Sequence, residues 1–397
     1  MIRSFADAGI SADVVTTLAR RGIDTPFAIQ TMVLPDALAG RDVLAKSATG
    51  SGKTLAFALP IVETLDPAEA RPSALVLVPT RELASQVAGE FEDIVKVKGL
   101  RVAVAYGGTS VREQARHAAK AHVLVATPGR LEDLASRNLV SLDRVRILIL
   151  DEADRMLDMG FQPQVDRLVD RLPSKRQTMF FSATLDGEIG RLARAYTHDA
   201  VLHELETERP AVEEVDHKFI PVSSADKTDA LAALLSSSQG SALVFVRTKR
   251  GVDRLVHKLR TRNIRAGAMH GDMSQAARER ALADFAAGRV STLIATDVAA
   301  RGLDLEAISH VINFDPPSDD KAFVHRVGRT GRAGRAGISV TFVAPEHRMD
   351  LGRMASRLKL TEEFELEGMK VAPPQVVYSA SRRGRSPFAP PRRRGRR

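Results

Sequence analysis

The stretch "AKSATGSGKTLAF", Ala45–Phe57, sets small and hydroxyl residues and two glycines ahead of Lys53 and Thr54, just before an apolar helical run. Such residues hold phosphate. Gly50 and Gly52 let the backbone turn with its N–H groups inward, at a helix N-terminus whose partial positive charge favours an anion. Lys53 would then reach β/γ-phosphate oxygens and the Thr54 hydroxyl would ligate Mg²⁺, in the pattern G-x-x-x-x-G-K-[ST] relaxed at its first position. A Gly/Ser turn that merely caps a helix is the plainer alternative. "LILDEADRML", Leu148–Leu157, weighs against it: Asp151 ends a hydrophobic strand, where a carboxylate can hold Mg²⁺ through water, and Glu152 can serve as base or orienter of an attacking water. In isolation that acidic pair could equally cap a helix.

A third cluster is cationic. "HRVGRTGRAGR", His325–Arg335, places Arg326, Arg329, Arg332 and Arg335 three residues apart, a spacing that would align them on a helical turn if the glycines allow one. Guanidinium forks suit phosphate, and an arginine from another domain can stabilise a transferring phosphoryl group. A solvated basic face or an RNA-backbone contact is equally open from these residues alone.

These residues need elements to position them. Short, almost continuous apolar runs alternate with helical patterns: "SALVLVP" (Ser73–Pro79), "RVAVAYGG" (Arg101–Gly108), "HVLVAT" (His122–Thr127), "RILILDEAD" (Arg146–Asp154) and "TMFFSAT" (Thr178–Thr184). A second series follows: "SALVFVRT" (Ser241–Thr248), "STLIATD" (Ser291–Asp297), "HVINFD" (His310–Asp315) and "ISVTFV" (Ile338–Val343). Such strands are buried on both faces of parallel α/β sheets. The expected organisation is a first α/β domain over 1–203, a linker over 204–212 in the polar "ELETERPAV", a second α/β domain over 213–365 and a basic tail over 366–397. Ligands of open α/β sheets bind beyond the carboxyl ends of the strands. Asp151-Glu152, Ser182-Ala183-Thr184 and Asp297 all fall there.

Composition narrows the class. The 397 residues contain no cysteine, which excludes disulfides and thiolate metal sites. No basic-then-apolar leader and no run of about 18 apolar residues occurs, so the expectation is a soluble cytoplasmic protein. Eight arginines in "RRGRSPFAPPRRRGRR", Arg382–Arg397, carry nearly all of the formal charge of +9. That segment reads as a disordered arm seeking polyanions, or else as a solubilising tail.

Together these motifs resemble the DEAD-box RNA helicases of superfamily 2 over nearly the whole chain. "DEAD" occupies Asp151–Asp154, amid "ATGSGKT" (Ala48–Thr54), "PTRELA" (Pro79–Ala84), Gly107-Gly108, "TPGR" (Thr127–Arg130) and "SAT" (Ser182–Thr184). "VFVRT" (Val244–Thr248), "QAAR" (Gln275–Arg278), "ATDVAARGLD" (Ala295–Asp304) and "HRVGRTGR" (His325–Arg332) follow in order. The resemblance implies two tandem RecA-like domains with ATP and Mg²⁺ between them. Ala48, Thr49, Gly50, Ser51, Gly52, Lys53 and Thr54 would hold phosphates, with Thr54 and Asp151 on the metal and Glu152 on the water. Arg329 and Arg332 would be the arginine fingers, while Gly302 and Asp304 would meet the ribose. Asp154, Ser182, Thr184 and His325 would couple nucleotide state to closure. RNA would touch Pro79, Thr80, Arg81, Gly108, Thr127, Gly129 and Arg130 on one side, and Arg247, Thr248, Gln275, Arg278, Thr296 and Asp297 on the other, with little readout of base sequence.

"GIDTPFAIQ", Gly22–Gln30, resembles the family's adenine-reading segment, with Gln30 suited to an adenine edge and Phe5 at the family's distance before it. Ile23 stands where an aromatic is usual and Phe27 where a threonine is usual. The implied activity is ATP-driven closure and local unwinding of RNA by a monomer. A DNA-directed translocase is one rival, which "PTRELA" and "SAT" disfavour. A non-catalytic RNA-annealing protein is another, which the full set of catalytic residues disfavours. Ribosome assembly, RNA decay and cold adaptation all stay open as the process served.

Overall fold

A computed structural model describes residues 2–47, 51–205, 215–300, 308–331 and 336–370. The first sheet contains β1 (Val43–Lys46), β2 (Ala74–Leu77), β3 (Val102–Ala105), β4 (Val123–Ala126), β5 (Ile147–Leu150), β6 (Gln177–Ser182) and β7 (Val201–Glu204), in the order β3-β4-β2-β5-β6-β1-β7. The second contains β8 (Val215–Pro221), β9 (Ser241–Phe245), β10 (Ala266–Met269), β11 (Thr292–Ala295), β12 (Ile308–Asn313) and β13 (Gly337–Val343), in the order β10-β11-β9-β12-β13-β8. Every strand pairing is parallel. Parallel neighbours require crossovers, and helices supply them on both faces.

Side-chain alternation explains why the central strands are apolar throughout. Val76, Val125, Ile149 and Phe181 point into one core of the first domain, where Phe57 from the helix Lys53–Thr64 meets Phe181 edge-on at 5.2 Å. Leu77, Leu124, Leu148 and Phe180 point into the other. The second domain packs likewise, and Phe323 on the helix Asp320–Val327 stacks on Phe219 of β8. Its packed chain runs past the expected start of the tail, because Met369 is buried with Phe364 and Leu360. Most of the expected linker, 206–212, and the arginine tail lie outside the described residues, while Glu204 closes β7.

Among the described residues two ion pairs join the domains. Arg278 Nε donates to Glu82 at 2.7 Å, and Lys321 Nζ to Asp158 at 3.0 Å. Glu82, Asp158, Arg278 and Lys321 all belong to helices on the carboxyl side of strands, so the two domains meet with the ligand-binding ends of their sheets turned toward each other.

Candidate functional site

In the first sheet β1, β5 and β6 are neighbours, and their carboxyl ends gather the phosphate-type chemistry. The amide of Ser47 donates to the Ser182 carbonyl at 3.0 Å, and Lys53 Nζ donates to the Ser47 carbonyl at 3.1 Å. Ser47 therefore pins the foot of the phosphate loop to β6 and aims the lysine. Gly52 turns the chain at φ 87°, a left-handed conformation suited to glycine, and Lys53 and Thr54 open the helix behind it. Ala48, Thr49 and Gly50 lie outside the described residues.

Across from Lys53, Asp151 accepts from the Glu152 amide at 3.0 Å. Glu152 itself sits at φ 51°, a conformation that costs a non-glycine residue on the order of 1–3 kcal/mol and marks a constrained turn from β5 into the next helix. Its carboxylate accepts from Arg155 Nη1 at 2.8 Å, with both side chains only 5% exposed. Burial pushes the Asp151 carboxyl up to about 6, Glu152 and Asp154 pushing the same way while Lys53 pulls it down. Burial likewise raises Asp154, against the pull of Arg155 and Lys53. Asp151, Glu152 and Asp154 thus share Lys53 and Arg155 and remain short of positive charge, an arrangement that a divalent cation fits. Mg²⁺ commonly takes one or two carboxylates and leaves its other positions to water and phosphate, so a cage of protein ligands is not required. Ser182 Oγ, fully buried, accepts from the Thr184 amide at 3.3 Å.

The other half of the sheet, β3-β4-β2, gathers a different set. Thr80 caps the helix Arg81–Val97 through the Leu83 amide, and Pro79 precedes it. Arg81 lies over the Gly107-Gly108 turn so closely that a Cβ on Gly108 would sit 2.2 Å from its Nη1. The glycine pair makes room for a guanidinium. Thr127 precedes Pro128 at the start of its helix, Gly129 has open space beside it, and Arg130 donates to the Thr109 carbonyl at 3.2 Å and to Gln114 at 2.6 Å. Burial lowers the Arg130 pKa, offset by Asp133, with Arg81 and Arg137 lowering it further. This is an electropositive shelf.

In the second domain β10, β11 and β9 carry the matching residues. Thr248 caps its helix through the Gly251 amide, the Arg247 amide donates to Asp315, and Thr296 follows β11. Gln275 donates to Glu279 while its buried Oε1 has no protein partner. Arg278 and Asp297, expected on RNA, are held by other residues: Arg278 by Glu82, and Asp297 by Arg326 at 2.6 and 2.7 Å. Arg326 also donates to Asn313 and to the Asp315 carbonyl, so its guanidinium is structural. Arg326 and Arg329 do not share a helical turn, because the helix Asp320–Val327 stops before Arg329. Arg329 and His325 line a small cleft with Asp297 and Arg326. Arg332, Arg335, Gly302 and Asp304 lie outside the described residues.

Comparison with known proteins settles what these halves belong to. The DEAD/DEAH box helicase family matches residues 27–192, and the helicase conserved C-terminal domain matches 226–334. The DEAD-box ATP-dependent RNA helicase CshA of Streptococcus pneumoniae is 40% identical over 95% of this chain and 72% of its own length. CshA of Geobacillus kaustophilus is 40% identical over 92% of this chain and 78% of its own. The chain belongs to the DEAD-box ATP-dependent RNA helicases. Its fold superposes on S. cerevisiae Dbp5 bound to RNA and ADP BeF3 with a TM-score of 0.82, at 31% identity over 91% of this chain and 94% of that one. Dbp5 bound to Gle1 and IP6 superposes less well, at 0.71. The arrangement of the two domains is thus nearer to that of the RNA-bound relative. Among the described residues no helix is long and apolar enough to cross a membrane.

Several residues of this DEAD-box site escape sequence reasoning. Ser47, Glu82 and Arg155 act through partners, and only Arg155, three positions after Glu152, leaves a local signal. Phe5, expected at the nucleotide, is buried in the core of the first domain at 1% exposure. Gln30 is also buried, its Nε2 donating to the Gly52 carbonyl at 2.8 Å and its Oε1 accepting from the Phe27 amide at 2.9 Å. The carboxamide keeps one further N–H and one lone pair for a ligand.

Proposed function

We propose that this ATP-dependent RNA helicase holds ATP on the β5-β6-β1 half of the first sheet and RNA on the β3-β4-β2 half, and that the second domain completes both sites on closure. The observation that carries this is the Glu82–Arg278 pair: Glu82 follows the RNA-side Thr80 and Arg81, and Arg278 reaches it from the other domain. Lys53 and Thr54 bind phosphate oxygens, Asp151 and Thr54 are the residues that would hold Mg²⁺, and Glu152 orients water. Mg²⁺, when bound, would neutralise the phosphate charge. Arg329 and Arg332 stabilise the transferring phosphoryl, Gly302 and Asp304 meet the ribose, and Ser182, Thr184, Asp154 and His325 link the nucleotide to closure. Pro79, Thr80, Arg81, Gly108, Thr127, Gly129 and Arg130 grip one side of an RNA backbone, with Arg247, Thr248, Gln275 and Thr296 on the other. Arg278 and Asp297 serve RNA binding by fixing that second wall. The protein works as a cytoplasmic monomer, with the basic tail as an RNA-gathering arm.

ATP hydrolysis measured with RNA and with DNA of equal length tests the reading. RNA should stimulate turnover and DNA should not. Equal stimulation by both would move the chain to a DNA-directed class.

A further inference from the structure

Phe27 is the one aromatic among the strongly exposed large hydrophobic side chains of the described residues, at 62% exposure. Its position makes that exposure informative. It stands at the N-cap of the helix Ala28–Leu38, where serine, threonine, asparagine and aspartate are favoured because their side chains cap the helix, which phenylalanine cannot do. Neither capping nor burial accounts for a phenylalanine here.

The ring lies over the turn that starts the phosphate-binding helix. A Cβ on Gly52 would fall 2.4 Å from Phe27 Cδ2 and 2.7 Å from Gln30 Nε2. The Phe27 amide and the Gly52 carbonyl are the two groups bound by the Gln30 carboxamide. Ring, carboxamide and glycine turn therefore form one unit beside Lys53. The other candidates for a stacking face point elsewhere: Ile23 packs against the first core and Phe5 is inside it.

Resting on the ATP-site reading above, we infer that Phe27 supplies the apolar face against which the nucleotide base packs, in place of an aromatic at position 23. Stacking tolerates any base, so the ring contributes affinity while the spare donor and acceptor of Gln30 contribute selectivity for adenine. The phosphate grip of Lys53 and Thr54 is independent of both.

The test is a titration of the full-length protein and of Phe27→Ala with ATP, GTP and inorganic tripolyphosphate, each with Mg²⁺. Loss of an aromatic–base stack should weaken ATP and GTP in parallel, by about fivefold or more. Tripolyphosphate, which has no base, should bind both proteins alike, and Phe27→Tyr should restore nucleotide affinity. Because the ring is exposed, Phe27→Ala should melt at the wild-type temperature without nucleotide. If tripolyphosphate weakens as much as ATP, the ring works by holding the Gly52 turn and the inference is wrong. Unchanged ATP affinity in Phe27→Ala would also overturn it. Wild-type protein that fails to bind ATP at all would remove the ATP-site reading itself, a result distinct from the other two.

Discussion

The two domains hold their charged residues in opposite ways. In the first, Glu152 is neutralised by Arg155 three positions on, Asp151 is held by the next amide, and Lys53 is fixed by Ser47. That site is assembled from its own neighbourhood. In the second, Arg278 finds its acid in Glu82, 196 positions away in the other domain, and Arg326 finds Asp297 and Asn313 on different strands' ends. One half carries its phosphate-type residues on local partners, and the other reaches across the domain boundary through Arg278. On the proposed function hydrolysis waits for closure, because the arginines proposed to stabilise the transferring phosphoryl belong to the half that must arrive.

The strongest effect lies in the first domain. Glu152→Gln keeps the size of the side chain and the Asp151 carboxylate but removes the group proposed to orient water. Turnover should fall by about 10²–10⁴-fold while ATP and RNA still bind, measured by steady-state hydrolysis beside equilibrium binding. Wild-type turnover would remove Glu152 from the chemistry.

The next effect belongs to the contact-dependent side. Glu82 and Arg278 are 4% and 8% exposed, and taking one partner from such a buried pair costs about 3–5 kcal/mol in the state that buries it. That state is the closed one. Arg278→Ala should therefore weaken ATP-dependent RNA binding by at least about 10²-fold yet leave the melting temperature near wild type, since open domains return Glu82 to water. A large fall in melting temperature would show that Arg278 holds up a domain rather than the contact between domains.

The smallest effect separates the two bridges. Lys321 and Asp158 are 43% and 33% exposed, and exposed pairs contribute about 0.2–1 kcal/mol. Lys321→Glu should weaken ATP-dependent RNA binding by no more than about tenfold, and the exchange Lys321→Glu with Asp158→Lys should recover most of it. The loss should shrink at high salt, where exposed charges are screened. A double exchange no better than the single change would mean that the pair is not a bond between the domains.

How much of this was legible in the sequence follows from the same contrast. The phosphate loop, Asp151-Glu152 and Ser182–Thr184 are consecutive residues at the ends of strands whose apolar runs, such as "ILIL" in β5, announce full burial. The strands that the apolar pattern leaves unmarked are β1, β7, β8 and β10, of which β7, β8 and β10 are sheet edges. β8 alternates buried and exposed positions, and β10 is the small-residue run "AGAM", so neither makes a continuous hydrophobic signal. Glu82 and Arg278 sit inside recognisable motifs, but their pairing is set by how two domains meet, which periodicity does not encode. The buried Phe5 and the exposed Phe27 show the same limit at one residue each. Aromatic identity is in the sequence, and the direction of the ring is set by packing.

Closure is the step on which both domains depend. The chain has no cysteine, so Lys120→Cys and Glu362→Cys give one exposed dye site in each domain and energy transfer between them reports their separation. Neither ATP nor RNA alone should move the transfer distribution, and the two together should shift it to a single closed population. That population should persist in the Glu152→Gln background, where hydrolysis no longer releases it. A distribution that closes fully with RNA alone, or that ignores both ligands, would contradict the claim that the second domain completes a site prepared by the first.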